Sequence, residues 1–390
     1  MLSRVWSVTR GVLSGLGTGA WEQLRRLFVV RRFRLMTLML LAAAWLGMDI
    51  YANLVVQRIP VAVVDLDGSH VSRTLRTYLR SARDLRMVDE PIGSLRQAEQ
   101  MMVDGRVSAI VLMPSDLSAN LKRGRKGEVV VAVDGSNILT GRNAYKAVAK
   151  AVGTVGAGVQ LSVAGKLGAR GDEQLARVVP IAIEDNPSFN PATNYAVYLS
   201  PALVFFLLHV WVLLMAASMF LPGQGPSGAP QTLGAAASVW TIGTLLGMLF
   251  LYGLLPRQHL WPAASPAVMT AMIACWVAAD VTMASALMVL LPSKLLGLEL
   301  TVLLGMLSLM LSGLTWPSDM FPAHLRTVAA AVPFTPFARG LRTALQQPVE
   351  LADLRPRFAS LATQSAVFCA MIAVGASLRA LAGRLRRGAA

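Results

Sequence analysis

The sequence contains little charge for its length. Only 15% of its 390 residues are charged, whereas 55% are hydrophobic. A water-soluble enzyme of this size needs a larger polar surface around its core. The composition therefore excludes an ordinary soluble domain and indicates a membrane protein.

Cysteine and histidine are also scarce, and each shortage removes a class of function. The two cysteines, Cys275 and Cys369, both lie within apolar runs and provide neither a disulfide framework nor metal-ligand spacing. The four histidines are separated along the chain, at His70, His209, His259 and His324. His70 lies beside Ser69 at the start of a predicted helix, but the sequence shows no nucleophile–base constellation and so does not predict catalysis.

No phosphate-binding Walker A sequence is present. The nearest candidate, at Gly165 and Lys166, lacks the upstream glycine spacing and the Ser or Thr that contacts magnesium. We therefore expect this chain to bind no cofactor. If ATP drives the protein, a separate chain binds the nucleotide and its Mg²⁺.

Positive charge is abundant, and it is concentrated at the two ends of the chain. The net charge is +15, and the arginines that flank the apolar runs are Arg10, Arg25, Arg26, Arg31, Arg32 and Arg34 before the first, and Arg379, Arg384, Arg386 and Arg387 after the last. Basic residues at span ends mark the cytoplasmic side, so both termini are predicted to be cytoplasmic. The sequence has no basic face interleaved with aromatic residues, so it does not predict nucleic-acid binding.

Six apolar runs are long enough to cross about 30 Å of hydrocarbon. They lie at 34–56 and at about 197–220, 236–255, 267–291, 295–314 and 358–378. An even number returns the chain to the cytoplasm, where the basic tail 379–390 is expected. The predicted fold class is a polytopic α-helical membrane protein with six transmembrane helices and an inserted extracytoplasmic α/β domain.

The first 33 residues predict a helix that lies on the cytoplasmic membrane surface. In "WEQLRRLFVVRRFR", Trp21, Leu24 and Phe28 recur at helical spacing with arginines between them. The alternative is a plain positively charged flank to the first span.

Residues 57–195 have the composition of an independent domain. The runs "IPVAVVDLDGS", "RVSAIVLMP", "EVVVAVDGSN" and "ARVVPIAIED" predict strands, and helical stretches separate them. One helix begins with a capping box, Ser94 with Gln97, and stops at Gly105, and a long helix is expected at about 139–167. This alternation predicts an α/β domain with a mixed or parallel sheet.

Polar residues outside the termini allow more than one interpretation. Asp65 and Asp67 would share one strand face and resemble a metal-binding pair, although carboxylates before a helix N-terminus are also favoured by the helix dipole. The stretch Val133–Asn137 likewise allows two interpretations, a turn or a binding site. Gly243 and Gly247 form a GxxxG pattern that allows close helix approach.

Asp280 lies near the middle of the fourth span, where a carboxylate costs about 2.5–3.5 kcal/mol on insertion scales. This cost predicts a polar partner, with Thr282, His209 and Glu299 as candidates. An interhelical hydrogen bond and a polar transport pathway are both consistent with the position.

The stretch "LSGLTWPSDMFPAHL", at 311–325, ends the fifth span and is followed by two short helical patterns within 315–347. Each pattern is too short to cross a membrane. Trp316 and Pro317 are expected to mark the end of the span, and Thr335 is expected to cap a helix whose first residue is Pro336. A re-entrant helical hairpin from the outer face fits this pattern; an ordinary external loop is the alternative.

The stretch "LSGLTWPSDMFPAHLRTVAAAVPFTPFARGLRTAL" resembles the closing signature of ABC-2 type transporter permeases. The matching positions, which the resemblance assigns to a gate region, are Ser312, Gly313, Trp316, Pro317, Pro322, Pro333, Pro336 and Arg342. "IPVAVVDLDGSHVSRTL", "VSAIVLMPSDLSANLKRG" and "DNPSFNPATNYAVYLSPALV" are similar to the drug-export-like branch, which carries a large extracytoplasmic domain between its first two transmembrane helices.

The resemblance implies a permease subunit in a bacterial inner membrane. Its partners would be an ATP-binding cassette ATPase subunit, a second permease chain in a homodimer or heterodimer, and a periplasmic adaptor protein. The implied substrates are hydrophobic or amphipathic compounds exported from the cytoplasm or the inner membrane.

One segment departs from the family pattern. Where the family carries a charged coupling segment that contacts the ATPase, this chain has the uncharged "LPGQGPSGAPQTLG" at 221–234. Pro222, Gly223 and Gln231 belong to this possible ATPase-contact loop, and its Gly and Pro content disfavours an amphipathic helix.

Two other functions remain open from the sequence. Asp280, His209 and Glu299 would form the proton relay of an ion-driven secondary transporter. The uncharged loop instead suggests a degenerate permease partner that does not itself transport.

Overall fold

The computed structural model describes residues 2–50, 57–123, 125–166, 195–221, 226, 228–347 and 349–388. The chain divides into two compact units, Met1–Leu54 with Ser188–Ala390, and Val55–Pro187. The predicted strand "ARVVPIAIED", together with Pro222 and Gly223, lies outside the described residues.

The first unit is helical. Its helices are α1 (Leu2–Val29), α2 (Arg31–Ile50), α7 (Tyr195–Ser218), α8 (Ala229–Leu249), α9 (Pro266–Leu290), α10 (Lys294–Leu311), α11 (Ala323–Ala331), α12 (Phe334–Gln346) and α13 (Leu351–Gly388). After α8 come a π-helical turn, Phe250–Leu254, and a 3-10 turn, Leu255–Gln258, and a second 3-10 turn, Ser318–Met320, precedes α11.

Within the described residues, six helical segments of this unit are long and apolar enough to span a membrane. They are Arg31–Ile50, Val197–Ser218, Ala229–Gln258, Pro266–Leu290, Lys294–Leu311 and Leu351–Ala382. Together with the small sheet of the second unit, they confirm the predicted fold class of a polytopic helical membrane protein with an inserted α/β domain. The chain is therefore a multi-pass membrane protein.

Local sequence explains where several spans begin. The Ser265 hydroxyl accepts a hydrogen bond from the Val268 N–H at the start of α9, and the Ser293 hydroxyl accepts one from the Leu296 N–H at the start of α10. Serine at this position satisfies an N–H that has no partner within the helix. Pro230, near the start of α8, needs no such partner.

The spans α7 and α9 form the centre of the bundle. Both are apolar on all sides, and most of their side chains are buried, as a helix surrounded by other helices requires. Gly243 and Gly247 of α8 let this helix approach them closely, because a Cβ on Gly243 would meet Val277 and one on Gly247 would meet Ile273. The GxxxG pattern therefore serves helix packing.

The N-terminal helix α1 packs on the beginning of α8. A Cβ built on Gly19 would overlap the backbone carbonyl of Gln231, and one on Gly234 would overlap the carbonyl of Leu16. Ser238 also donates a hydrogen bond to the Ala20 carbonyl, with 3.1 Å between the oxygens. The third span was predicted at about 236–255, and the helix that contains this run, α8, begins earlier, at Ala229, within the uncharged segment.

The second unit is an α/β domain. Its elements are β1 (Ile59–Asp65), α3 (His70–Ser81), β2 (Leu85–Met87), α4 (Leu95–Val103), β3 (Ala109–Met113), α5 (Leu117–Lys122), β4 (Val130–Val133) and α6 (Ile138–Lys166). The sheet order is β2-β1-β3-β4, with β1 parallel to β2 and β3, and β4 antiparallel to β3. The sheet is therefore mixed.

Alternating side chains of β1 fill two cores, one on each face of the sheet. Val61 and Val63 pack with Leu75 of α3 and Val148 of α6, and the residues of β1 between them face α4 on the opposite side. The short strand β2 carries the charged Arg86 between Leu85 and Met87 and was not predicted. Three residues are too few for a periodic signal.

The pair Asp65 and Asp67 forms a turn. Asp65 ends β1 and accepts hydrogen bonds from the Asp67 and Gly68 N–H groups, while Asp67 lies beyond the strand and accepts two from the N–H and hydroxyl of Ser118. The two side chains therefore do not share a strand face, and that prediction is wrong. Partial burial alone would raise the pKa of Asp67, but hydrogen bonds from Ser69 and Ser118 lower it overall.

We predict opposite effects for alanine at two glycines of α1. Gly19→Ala should destabilise the protein by about 1–3 kcal/mol, because its Cβ overlaps the Gln231 carbonyl. Gly17→Ala should stabilise it by about 0.5–1 kcal/mol, because no atom lies within 4 Å and alanine favours a helix. Thermal unfolding of the purified protein in detergent measures both changes. Equal effects of the two substitutions would contradict the α1–α8 contact.

Candidate functional site

The fifth span ends at a glycine with a left-handed backbone. Ser312 caps α10, and its hydroxyl donates to the Leu309 carbonyl and accepts from the Leu314 N–H. Gly313 has a φ of +83°, a conformation that other residues rarely adopt. The expectation that Trp316 and Pro317 end the span is wrong, because the αL glycine stops the helix at Leu311.

Each of the prolines in this segment lies near the start of a helical turn. The second 3-10 turn follows Pro317, α11 follows Pro322, and α12 follows Pro333. Pro336 lies in the first turn of α12. The prediction that Thr335 caps a helix starting at Pro336 is wrong by two residues. Proline is tolerated throughout the first helical turn, because its missing N–H would have no intrahelical partner.

A tyrosine of the second span holds the turn after the fifth span. The Tyr198 hydroxyl donates to the Leu314 carbonyl at 2.7 Å, and the Arg342 guanidinium donates to the same hydroxyl at 3.5 Å. The Arg342 guanidinium also lies 5.6 Å from the centroid of the Tyr198 ring. Helices α7 and α12 and the turn that follows α10 are thereby joined through one side chain.

The two short helices of the segment have different surroundings. In α11 only Ala329 is buried, whereas α12 buries Phe334, Phe337 and Leu341 against the spans. The Phe334 ring lies 5.1 Å from the ring of His209, well inside α7. The start of α12 therefore packs beside the middle of α7 rather than beyond its end. The re-entrant hairpin stays a prediction.

A buried polar pair lies where α7, α9 and α12 meet. His209 Nδ1 is 2.7 Å from Asp280 Oδ2, and both side chains are fully buried. Of the three candidate partners of Asp280, the structure selects His209. Within the described residues, His209 Nε2 and Asp280 Oδ1 have no hydrogen-bond partner.

Aromatic rings enclose this pair. Trp276 stacks on Phe337 with 3.9 Å between centroids and an interplanar angle of 11°, and it lies 6.2 Å from the His209 ring. Phe205 contacts Trp276 and Phe337 from α7. The pair is thus surrounded by low-dielectric side chains, where a hydrogen bond between charged groups is strong and an unpaired charge is costly.

The other candidate polar residues are not part of this cluster. Thr282 donates to the carbonyls of Ala278 and Ala279 in its own helix, and Glu299 is exposed on α10. The predicted proton relay through Asp280, His209 and Glu299 is therefore not assembled, since its third member lies apart from the buried pair. Sequence could not show this, because helix orientation within the bundle decides it.

Within the possible ATPase-contact loop, the structure describes Leu221, Pro226 and residues 228–234. Gln231 lies in the first turn of α8, with its backbone against Gly19 of α1. This part of the segment is occupied by contact with the N-terminal helix. Pro222 and Gly223 belong to the part of the chain that the structure leaves undescribed.

Several residues of the site escaped sequence reasoning. Tyr198 and Trp276 stand in apolar runs where aromatic residues are common, and Phe334 and Phe337 stand in the short helical segment between the fifth and sixth spans. Only their spatial convergence on Asp280 and on the turn at Gly313 distinguishes them. In the described residues, no group of three or more His, Cys, Asp or Glu side chains is arranged to hold a metal ion.

Comparison with known families gives one match. Residues 31–222 match the family model described as ABC-2 family transporter protein. The matched region begins with the first span, includes the α/β unit and ends just after the second span. No curated protein matches the sequence significantly.

We predict that the buried pair shows strong non-additivity. His209→Leu or Asp280→Leu alone should destabilise the protein by about 3–5 kcal/mol, because each leaves the other polar group buried without its partner. The double substitution should be close to neutral, because two apolar side chains fill the same space. Thermal unfolding in detergent measures all three, with Thr282→Val as the control expected to change little. A double variant as unstable as the sum of the singles would contradict the pairing.

Proposed function

The chain belongs to the ABC-2 family of transporter proteins, and from this premise we propose that it is the permease of an exporter. In that exporter, a separate ATP-binding cassette subunit hydrolyses ATP. The observation that carries the proposal is the family match over the first span, the α/β unit and the second span. The six apolar helices agree with it.

The direction and substrate of transport belong to the proposal. Hydrophobic or amphipathic compounds would leave the cytoplasm or the inner membrane through two permease chains, with a periplasmic adaptor at the outer side. Both termini would be cytoplasmic, as the flanking arginines indicate. The chain itself would carry no ATPase chemistry, because its sequence has no Walker A motif.

The segment from Ser312 to Arg342 supports a gate. Its turn is held by Tyr198, and its second helix, α12, lies beside the buried pair of α7 and α9. A movement of α12 would displace Phe334 and Phe337 from Trp276 and so expose the polar pair. In this proposal the aromatic contacts keep the gate closed.

The ATPase contact is proposed to involve α1. Trp21 and Phe28 are exposed on this helix, and its arginines provide positive charge. Since α1 is packed against the start of α8 by Gly19 and Gly234, a force on α1 would reach the third span directly. This contact would compensate for the missing charge in the 221–234 segment.

A second candidate function rests on the buried His209–Asp280 pair. A proton-coupled secondary transporter needs titratable groups within its spans, and this pair is one. The exposed position of Glu299 argues against a continuous relay. A permease partner that does not transport by itself is the third candidate, and it is motivated only by the uncharged segment.

Energised transport distinguishes these candidates. We expect inverted membrane vesicles that contain the protein and its co-purified ATPase to accumulate an amphipathic fluorescent dye when ATP is supplied. A non-hydrolysable ATP analogue, or a pH gradient alone, should support no uptake. Uptake driven by the pH gradient and abolished by Asp280→Asn would favour the secondary transporter, and no uptake with either energy source would favour the non-transporting partner.

The gate makes a separate prediction at two exposed residues. Trp316 and Met320 are 59% and 67% exposed, so alanine at either should change stability by no more than about 0.5 kcal/mol. Trp316→Ala should nevertheless reduce the ATP-driven rate severalfold if Trp316 closes over substrate, whereas Met320→Ala should not. Intact transport in Trp316→Ala would instead assign the segment a bracing role.

The hydrogen bond from Tyr198 can be tested by removing one atom. Tyr198→Phe leaves the Leu314 carbonyl without this donor and should destabilise the protein by about 1 kcal/mol. If the turn at Gly313 positions the gate, the transport rate should fall more than this small change in stability explains. Unchanged transport would show that the bond only supports the fold.

A further inference from the structure

An arginine-lined cavity lies among the 3-10 turn Ser318–Met320, α11, α12 and the start of α13. Its volume is about 210 Å³. A cavity needs only about 10–15 Å³ of such volume to hold one water molecule, so this one has room for an anion of several heavy atoms.

The charge of the lining is unbalanced. Arg326, Arg339 and Arg357 line the cavity with one carboxylate, Asp319, so three positive charges face one negative charge. Ser318 and Ser360 add hydroxyl groups that can donate hydrogen bonds. The cavity therefore offers an excess of two positive charges together with hydroxyl donors.

The arginines of the cavity are not neutralised by the protein groups that the structure describes. In that part of the chain, none of the three guanidinium groups forms an ion pair within 4.0 Å or donates a hydrogen bond. By contrast, Arg342 is held by Tyr198 and Arg379 donates to the Leu291 carbonyl.

The arginines also repel one another. Burial, followed by the charges of Arg357 and Arg342, lowers the pKa of Arg339, and Asp319 opposes this effect. The charge of Asp319 does not offset the others. Gathering like charges in a partly enclosed space is unfavourable unless an anion joins them.

Guanidinium groups recognise phosphate in particular, because their planar N–H forks match two phosphate oxygens. The chain neighbours of the lining residues add an apolar component. Met320, beside Asp319, and Val328, beside Ala329, are exposed, as is Trp316. Exposed apolar side chains next to a basic cavity suit a phospholipid, whose headgroup would enter the cavity while its acyl chains remain outside.

We propose that this cavity is a binding site for a phosphate ester, contacted by Arg326, Arg339 and Arg357. A phospholipid headgroup and a soluble phosphorylated compound present the same chemistry to it. The proposal is independent of ATP-driven transport, since it rests only on the lining of the cavity.

The test measures binding of short-chain phosphatidylglycerol to the full-length protein in uncharged detergent. The double substitution Arg339→Gln and Arg357→Gln should weaken binding at least about tenfold, because two charge-assisted contacts are lost. Arg355→Gln is the matched control: it removes the same charge from exposed α13 surface outside the cavity and should leave affinity unchanged. Asp319→Asn should strengthen binding, because it removes the opposing charge.

The source of the phosphate is distinguished by competition. Displacement of the lipid by millimolar inorganic phosphate would show that the phosphate group alone suffices, whereas resistance to it would assign the site to a phospholipid. The proposal would be overturned if the wild-type protein bound neither probe, or if Arg355→Gln weakened binding as much as the cavity substitutions. Because the Asp319 side chain is exposed, we expect Asp319→Asn to fold. This variant therefore tests the site even if the double variant does not fold.

Discussion

The hydrogen bond between His209 and Asp280 determines how the central helices fit together. Both groups are fully buried, at 2.7 Å from each other, in a region where hydrocarbon surrounds the bundle and water is scarce. Each polar group would be costly alone, so α7 and α9 can pair in only one rotation and register that joins them. The rings of Trp276, Phe334 and Phe337 then follow, because they must fill the space around this pair.

Hydrogen bonds from polar side chains also position the outer helices, but at fewer points. Trp211 of α7 donates to the Thr37 hydroxyl of α2, and Gln258 donates to the Met48 carbonyl while accepting from Ser200. These bonds join the first, second and third spans without any exposed charge. Between them the spans contact one another mainly through apolar side chains, for which sliding costs less than breaking a buried hydrogen bond.

The sequence predicts those features that depend on one helix or strand alone. It does not predict those that depend on how neighbouring elements pack together. Length and hydropathy predicted six spans, and strand–helix alternation predicted the α/β unit. The end of the fifth span was misplaced because apolar residues continue beyond Gly313, and only its backbone conformation stops the helix. The partner of Asp280 was left open among three residues, because choosing His209 required the relative rotation of two helices. The clustering of Arg326, Arg339 and Arg357 around one cavity could not be predicted, because it depends on how separate helices pack together.

The contacts of α8 suggest how the uncharged segment in which it begins is compatible with a coupled transporter. At its start, α8 is packed against α1 through Gly19 and Gly234, and farther along Gly243 brings it against Val277 of α9. Trp240 also donates to the Ala274 carbonyl, with the two atoms 2.8 Å apart. A displacement of α1 would therefore move α8 as a body against the helix that carries Asp280. Close backbone packing transmits such a movement without the charged side chains that a surface helix needs, because densely packed helices have little free space in which to yield.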